Sequence, residues 1–144
     1  MLIALVLFLS PYALVDIPQA VPQADADKLK AAGIVTTDDL LQKGATSKGR
    51  KDLARAAHID AEQLRSYVEM ADLLRIRGVG PEMVRLFGAA KVHNTKDLAA
   101  REAKALYDAL IAANDKQKIT QNPPDPKSVA AWIDAAKQLP HVLD

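Results

Sequence analysis

The sequence predicts an all-α protein: two duplicated helix-hairpin-helix units packed as a compact helical domain, preceded by an apolar N-terminal arm. Three observations predict it. Helix-start signals recur along the chain, no stretch after residue 16 alternates as a strand does, and two segments match others further along. Composition agrees. Of 144 residues, 49% are hydrophobic, 26% charged and only 4% aromatic, with alanine abundant, which favours close-packed helices over a β-sandwich. The length fits one domain or two small ones.

The first element is the apolar arm. Residues 2–9 read Leu-Ile-Ala-Leu-Val-Leu-Phe-Leu, and Asp16 is the first charge. Leu2, Ile3, Leu5, Val6, Leu7, Phe8 and Leu9 are its anchoring side chains. Residues 1–15 fall short of the roughly 20 that span a bilayer as a helix, and suit a signal-peptide apolar region. A positive n-region is missing apart from the amino terminus, and no clean small-x-small cleavage site follows. Three readings stand: an export signal, a retained anchor, or an ordinary buried strand or helix. Retention is favoured, with the arm held against lipid or a partner, because a bare apolar arm needs cover to stay soluble.

Helices are expected near 24–32, 37–43, 47–57, 61–75, 81–90, 95–100, 102–113 and 126–138. Thr36 and Asn94 each precede an acid by three residues (Asp39, Asp97), in the manner of a capping box. Asp60 with Gln63 makes a third start, and Asp125 followed by Pro126 a fourth. Gly33 and Gly44 fall where helices should stop. Leu64, Tyr67, Val68 and Ala71 form one apolar stripe, repeated by Val129, Trp132, Ile133 and Ala136. A third runs through Ala105, Leu106, Ala109, Leu110 and Ala113. Tyr67 and Trp132 therefore belong to the core. Gln121-Asn122-Pro123-Pro124 is a rigid loop, since residues before proline avoid the helix.

Residues 31–40 match residues 89–98 at an offset of 58, with five of ten positions identical. Residues 59–71 match 124–136 at an offset of 65, which places an insertion between Lys118 and Pro124. The units are then 16–77 and 78–140, with a tail at 141–144. Between the units stands Ile76-Arg77-Gly78-Val79-Gly80-Pro81. Its glycines make a tight turn whose N–H groups can face an anion, and Pro81 suits a first helical position. The offset puts Ala20 opposite Gly78 and Pro22 opposite Gly80. Either would be strained at a positive φ, so the first hairpin is expected to have lost an anion-facing geometry.

The run from Asp72 through Pro81, then Ala89-Ala90, Thr95-x-Asp97-Leu98 and Trp132-Ile133-x-x-Ala136-Lys137, resembles a bacterial family of tandem helix-hairpin-helix domains of unknown function. The resemblance covers about residues 16–140. It implies an all-helical paired fold and no particular activity.

Candidate chemistry is of two kinds. Arg75, Arg77, Arg85 and Lys91 surround Gly78, Val79 and Gly80, as a phosphate grip or as solvated arginines beside a packing turn. Lys43, Lys48, Arg50, Lys51 and Arg55 form a second basic run with Asp52 the one acid among them, either a site for phosphate or an acidic partner or a solvated helix face. The net charge of +1 lacks the basic excess of a dedicated DNA binder. Cysteine is absent, which excludes disulfides and thiolate metal sites. His58, His93 and His141 lack metal spacing, Ser47 and Ser66 lack a nucleophile elbow, and no P-loop or paired-carboxylate signature occurs. Neither enzyme activity, metal, cofactor nor small-molecule substrate is expected.

Two functions follow. One is a non-enzymatic accessory or scaffold protein, membrane-associated or exported, whose apolar arm holds it at a membrane or on a protein complex. The alternative is a DNA-binding module using the second hairpin, an arrangement similar to that of competence DNA receptors, which join a membrane segment to helix-hairpin-helix units.

Overall fold

A computed structural model describes residues 12–144. Those residues form a short 3-10 turn at Leu14–Asp16 and eight α-helices: α1 (Gln23–Ala31), α2 (Thr37–Gly44), α3 (Ser47–Ala57), α4 (Ala61–Leu73), α5 (Pro81–Ala89), α6 (Thr95–Ala99), α7 (Ala103–Gln117) and α8 (Pro126–Gln138). Among them the backbone pairs in β fashion only at an isolated antiparallel bridge, Ala13 with Thr36. The all-α expectation holds.

Local chemistry accounts for the helix starts. The Thr36 hydroxyl accepts the Asp39 N–H at 3.2 Å while Asp39 Oδ2 accepts the Thr36 N–H at 3.1 Å, a complete capping box. The Asn94 side-chain oxygen Oδ1 accepts the Asp97 N–H, Asp60 accepts from Glu62 and Gln63, and Asp125 accepts from Ser128. Two further caps, Thr46 on Gly49 and Glu102 on Lys104 and Ala105, open α3 and α7.

The two halves correspond in more than sequence. α1 and α5 have equal length and stand 58 residues apart, as do α4 and α8 at 65. Both α1 and α5 end in a Schellman motif. Ile34 N–H reaches Leu29 O at 2.8 Å, and Val92 N–H reaches Phe87 O at 2.9 Å. The residue between cap and closing amide is left-handed in each: Gly33 at φ 87° and Lys91 at φ 65°. Packing repeats too. α1 lies on α3 as α5 lies on α7, and α4 closes α2 and α3 as α8 closes α6 and α7. α4 also touches α6, so one continuous core runs through both halves.

Several boundaries move. The folded region takes in Tyr12, so the expected division at residue 15 falls inside the 3-10 turn. Leu14 is 1% exposed, its N–H bonds Val35 O at 2.9 Å, and Thr37 N–H bonds Tyr12 O at 2.9 Å. α4 stops at Leu73, not 75, because the Leu73 carbonyl turns to the Ile76 N–H at 3.1 Å and opens the hairpin. α7 runs to Gln117, not 113; its apolar stripe ends but helical bonding continues to a left-handed Lys118 at φ 53°. The seven-residue growth in offset is therefore no single insertion. One extra turn of α7 and the loop from Thr120 to Pro124 supply the additions, and a shorter α6 offsets part of them. Asn114 holds that loop, its side chain giving to Thr120 O at 3.0 Å and taking from Thr120 N at 2.9 Å.

Gly44 ends α2 as a helical residue, not as a left-handed stop. A Cβ there would lie 2.5 Å from Val68 Cγ2, so the glycine lets α2 approach α4.

Candidate functional site

The second hairpin joins α4 to α5. Ile76 and Val79 are its buried posts, and Val79 N–H closes on Ile76 O at 3.1 Å across Arg77 and Gly78. Gly78 takes φ 88°, whereas Gly80 is extended at φ −103° and caps α5 ahead of Pro81. Only one of the two glycines is therefore required by backbone conformation. A Cβ on Gly78 would also stand 3.2 Å from the Trp132 indole nitrogen. Trp132 is half-buried and meets Phe87 edge to face, with centroids 5.8 Å apart and planes at 85°. The hairpin tip thus rests beside the C-terminal helix.

The first hairpin closes differently. Ile17 O accepts both Ala20 N–H and Val21 N–H at 3.0 Å, so three residues separate the buried Ile17 and Val21 where two separate Ile76 and Val79. Neither Ala20 nor Pro22 has a positive φ. The expected strain at those positions is absent because the longer turn removes the need for a left-handed residue. The two tips differ in shape, as expected, but for this reason.

The arginines around the second hairpin divide. Arg77, Arg85 and Lys91 are exposed. Arg75 is not available in the same way. Its Nη1 pairs with Asp72 Oδ1 at 2.7 Å, with side chains only 17% and 4% exposed, and its Nη2 donates to Pro140 O at 2.9 Å. Asp72 Oδ2 in turn accepts the Thr95 N–H at 2.9 Å and its hydroxyl at 2.8 Å. Arg75 is thus the charge partner of a buried carboxylate. Lys91 holds its left-handed position at the end of α5, where its carbonyl accepts Arg101 Nη2 at 2.8 Å.

The basic run divides as well. Lys43, Lys51 and Arg55 are exposed. Lys48 pairs with Asp52 at 3.0 Å along α3, and that hydrogen bond holds the Asp52 carboxyl below the ordinary carboxylate range. Arg50 is drawn inward. Nη1 donates to Gly44 O and Ala45 O at 2.9 and 3.1 Å, and Nη2 to Asp144 O and Oδ1 at 3.0 and 3.1 Å. The five residues do not form one continuous free cationic surface.

A groove of about 540 Å³ lies between α4 on one side and α5, the α5–α6 connection and α6 on the other. Met70, Leu73, Val84 and Val92 give it apolar walls, with Arg65, Glu69, His93 and Asp97 among the polar lining. The polar groups bond one another: Glu69 accepts Asn94 Nδ2 at 3.0 Å and pairs with Arg65 Nε at 3.3 Å, and Asp97 accepts the His93 N–H at 3.1 Å. Sequence reading missed this groove, whose one signal was the mixed outer face of α4. Among the described residues no three His, Cys, Asp or Glu side chains gather to hold a metal ion. His58, His93 and His141 are exposed; Tyr67 is buried, as expected. The anchor positions Leu2, Ile3, Leu5, Val6, Leu7, Phe8 and Leu9 lie outside the described residues. No described helix is long and apolar enough to cross a membrane.

No curated protein and no solved structure matches the chain. A family model described as a domain of unknown function (DUF4332) matches residues 19–139. The chain belongs to that family.

Proposed function

We propose that this family member is a non-enzymatic helical accessory protein, held at a membrane surface or on a larger protein complex through its apolar N-terminus. One observation carries the reading. Tyr12, Val15 and Val35 are exposed by 37%, 39% and 45%. Tyr12 and Val35 each neighbour a residue of the Ala13–Thr36 bridge in the chain, Val15 follows two residues after Ala13, and the apolar run of residues 2–9 precedes them in the sequence. The arm's apolar character therefore continues onto the folded surface, as an attachment site requires. The engagement of Arg75 by Asp72 and Pro140 supports the same reading, because it removes one cation from the anion-binding face of the second hairpin.

Fractionation and vesicle flotation test it. The full chain should follow the membrane fraction or co-purify with a partner, and a variant lacking residues 1–11 should lose that association. Leu14 must be kept, since it is part of the core. If the shortened chain keeps its location and partners, the reading fails.

A second reading rests on Gly78 and the start of α5. The halves are read as tandem helix-hairpin-helix units, on the matching lengths, Schellman ends and packing of α1 with α5 and α4 with α8. In the second unit the left-handed Gly78, the N-terminus of α5 and the exposed Arg77 and Arg85 could grip a DNA phosphate. Duplex binding should then weaken with salt at a log–log slope of about −2 to −4 and vanish with Arg77→Glu. Absence of binding at low salt removes this reading.

A further inference from the structure

The segment after α8 is seated, residue by residue. Arg75 Nη2 holds Pro140 O at 2.9 Å, and Leu139 and Leu143 pack half-buried against the core. Asp144 then makes three contacts at the corner between α2 and α3. Its N–H donates to Ala45 O at 3.0 Å, and its carbonyl and Oδ1 accept Arg50 Nη2 at 3.0 and 3.1 Å.

The receiving corner is organised by bonds that do not involve the tail. Arg50 Nη1 is held by the carbonyls of Gly44 and Ala45 at 2.9 and 3.1 Å. Gly49 allows that closeness, because a Cβ there would fall 2.3 Å from Lys43 O. The corner thus offers one main-chain acceptor and one fixed planar cation, and the core takes the leucine side chain one residue before them, all within the reach of two extended residues. That set reads a leucine followed by an acid. The fold itself does not demand the cation: the fourth residue of α7, at the place Arg50 takes in α3, is the buried Leu106.

We propose that the Ala45/Arg50 corner is a docking site for an extended Leu-Asp peptide of a partner protein, and that residues 140–144 fill it in cis as an exchangeable internal ligand. The site reads the partner by charge complementarity at Arg50, by the leucine seat and by the main-chain bond to Ala45. A tethered occupant competes at an effective concentration in the millimolar range, so the corner answers a partner only when the tail yields. This inference stands apart from the N-terminal attachment and does not require it.

The probe is a fluorescein-labelled peptide Leu-Pro-His-Val-Leu-Asp, followed by anisotropy. Against the variant Leu143→Ser/Asp144→Ala, which keeps full length and frees the corner, it should bind at least tenfold tighter than against the unaltered chain. Adding Arg50→Gln to that variant should abolish the gain, and a peptide ending in Asn should bind more weakly. Asp144→Lys supplies an independent release should the double variant lose its helical circular dichroism. If the peptide binds neither folded released variant more tightly than the unaltered chain, or binds equally well without Arg50, the proposal is overturned.

Discussion

The Asp72 carboxylate fastens Thr95 from the neighbouring half, one oxygen taking both the Thr95 N–H at 2.9 Å and its hydroxyl at 2.8 Å. In the first half the same duty falls to a backbone: Thr37 N–H bonds Tyr12 O at 2.9 Å, and the Thr37 hydroxyl accepts the Tyr12 N–H at 3.2 Å. A side chain from α4 thus does in one half what the entering chain does in the other. Burial of Asp72 is tolerable because Arg75 neutralises it and three donors satisfy it.

Removing the carboxylate strands Arg75 and leaves the start of α6 unsatisfied. Asp72→Ala should therefore cost about 3–5 kcal/mol, lowering the melting temperature by roughly 10 °C or more. Thr95→Val, which keeps the backbone bond, should cost only about 1 kcal/mol. Thermal melts followed at 222 nm compare the two; near-equal losses would show that Asp72 is not the centre of the network.

What the sequence made legible was local. Thr36/Asp39, Asn94/Asp97, Asp60/Gln63 and Asp125 cap helices within three residues of themselves, so spacing alone exposes them. The arginines were not legible for the opposite reason. Arg50 finds Asp144 across 94 residues and Arg75 finds Pro140 across 65, and neither separation has a period or motif. Gly44 looked like a terminator because glycine often ends helices, whereas its selection comes from Val68 on another helix. The first hairpin's shape depended on one added residue between buried posts, which a gapless offset cannot reveal.

The two glycines of the second hairpin should respond unequally. Gly78→Ala meets both a φ of 88° and the Trp132 indole at 3.2 Å, so a loss of about 1–2 kcal/mol is expected. Gly80→Ala has an ordinary φ and nothing within 4 Å of the new Cβ. It should be near neutral, within about 0.5 kcal/mol. Trp132 is the chain's one tryptophan, so its emission reads the hairpin directly. It should shift for Gly78→Ala and not for Gly80→Ala; an equal shift in both would contradict the assignment.

Lys91 offers a stabilising substitution. It occupies at φ 65° the position that Gly33 fills at φ 87° in the first half. A left-handed lysine costs roughly 1 kcal/mol relative to glycine. Lys91→Gly should therefore raise stability by about 0.5–1 kcal/mol in urea denaturation. An unchanged or lowered midpoint would mean that the side chain makes a contact worth as much as the strain. The same variant separates structure from binding: if DNA affinity falls while stability rises, Lys91 serves the ligand.

Stability should fall at both ends of the pH scale, for different residues. The N–H groups of Val35 and Thr36 hold the Asp39 carboxyl below the ordinary range; Ala105 and Lys104 do so for Glu102, and Ser128 for Asp125. A folded value below the unfolded one stabilises fully above the unfolded value of about 4 and is lost as pH falls through the folded value. Tyr67 behaves oppositely. Burial, and then its hydrogen bond to Asp25, raise the phenol. Its contribution is complete below the unfolded value of about 10 and disappears as pH climbs through the higher folded value. Urea midpoints should be flat between about pH 5 and 9, drop below about 4, and drop again above about 10. Asp39→Asn should shallow the acid limb alone, and Tyr67→Phe the alkaline limb alone. An alkaline limb unchanged by Tyr67→Phe would remove the phenol from the account.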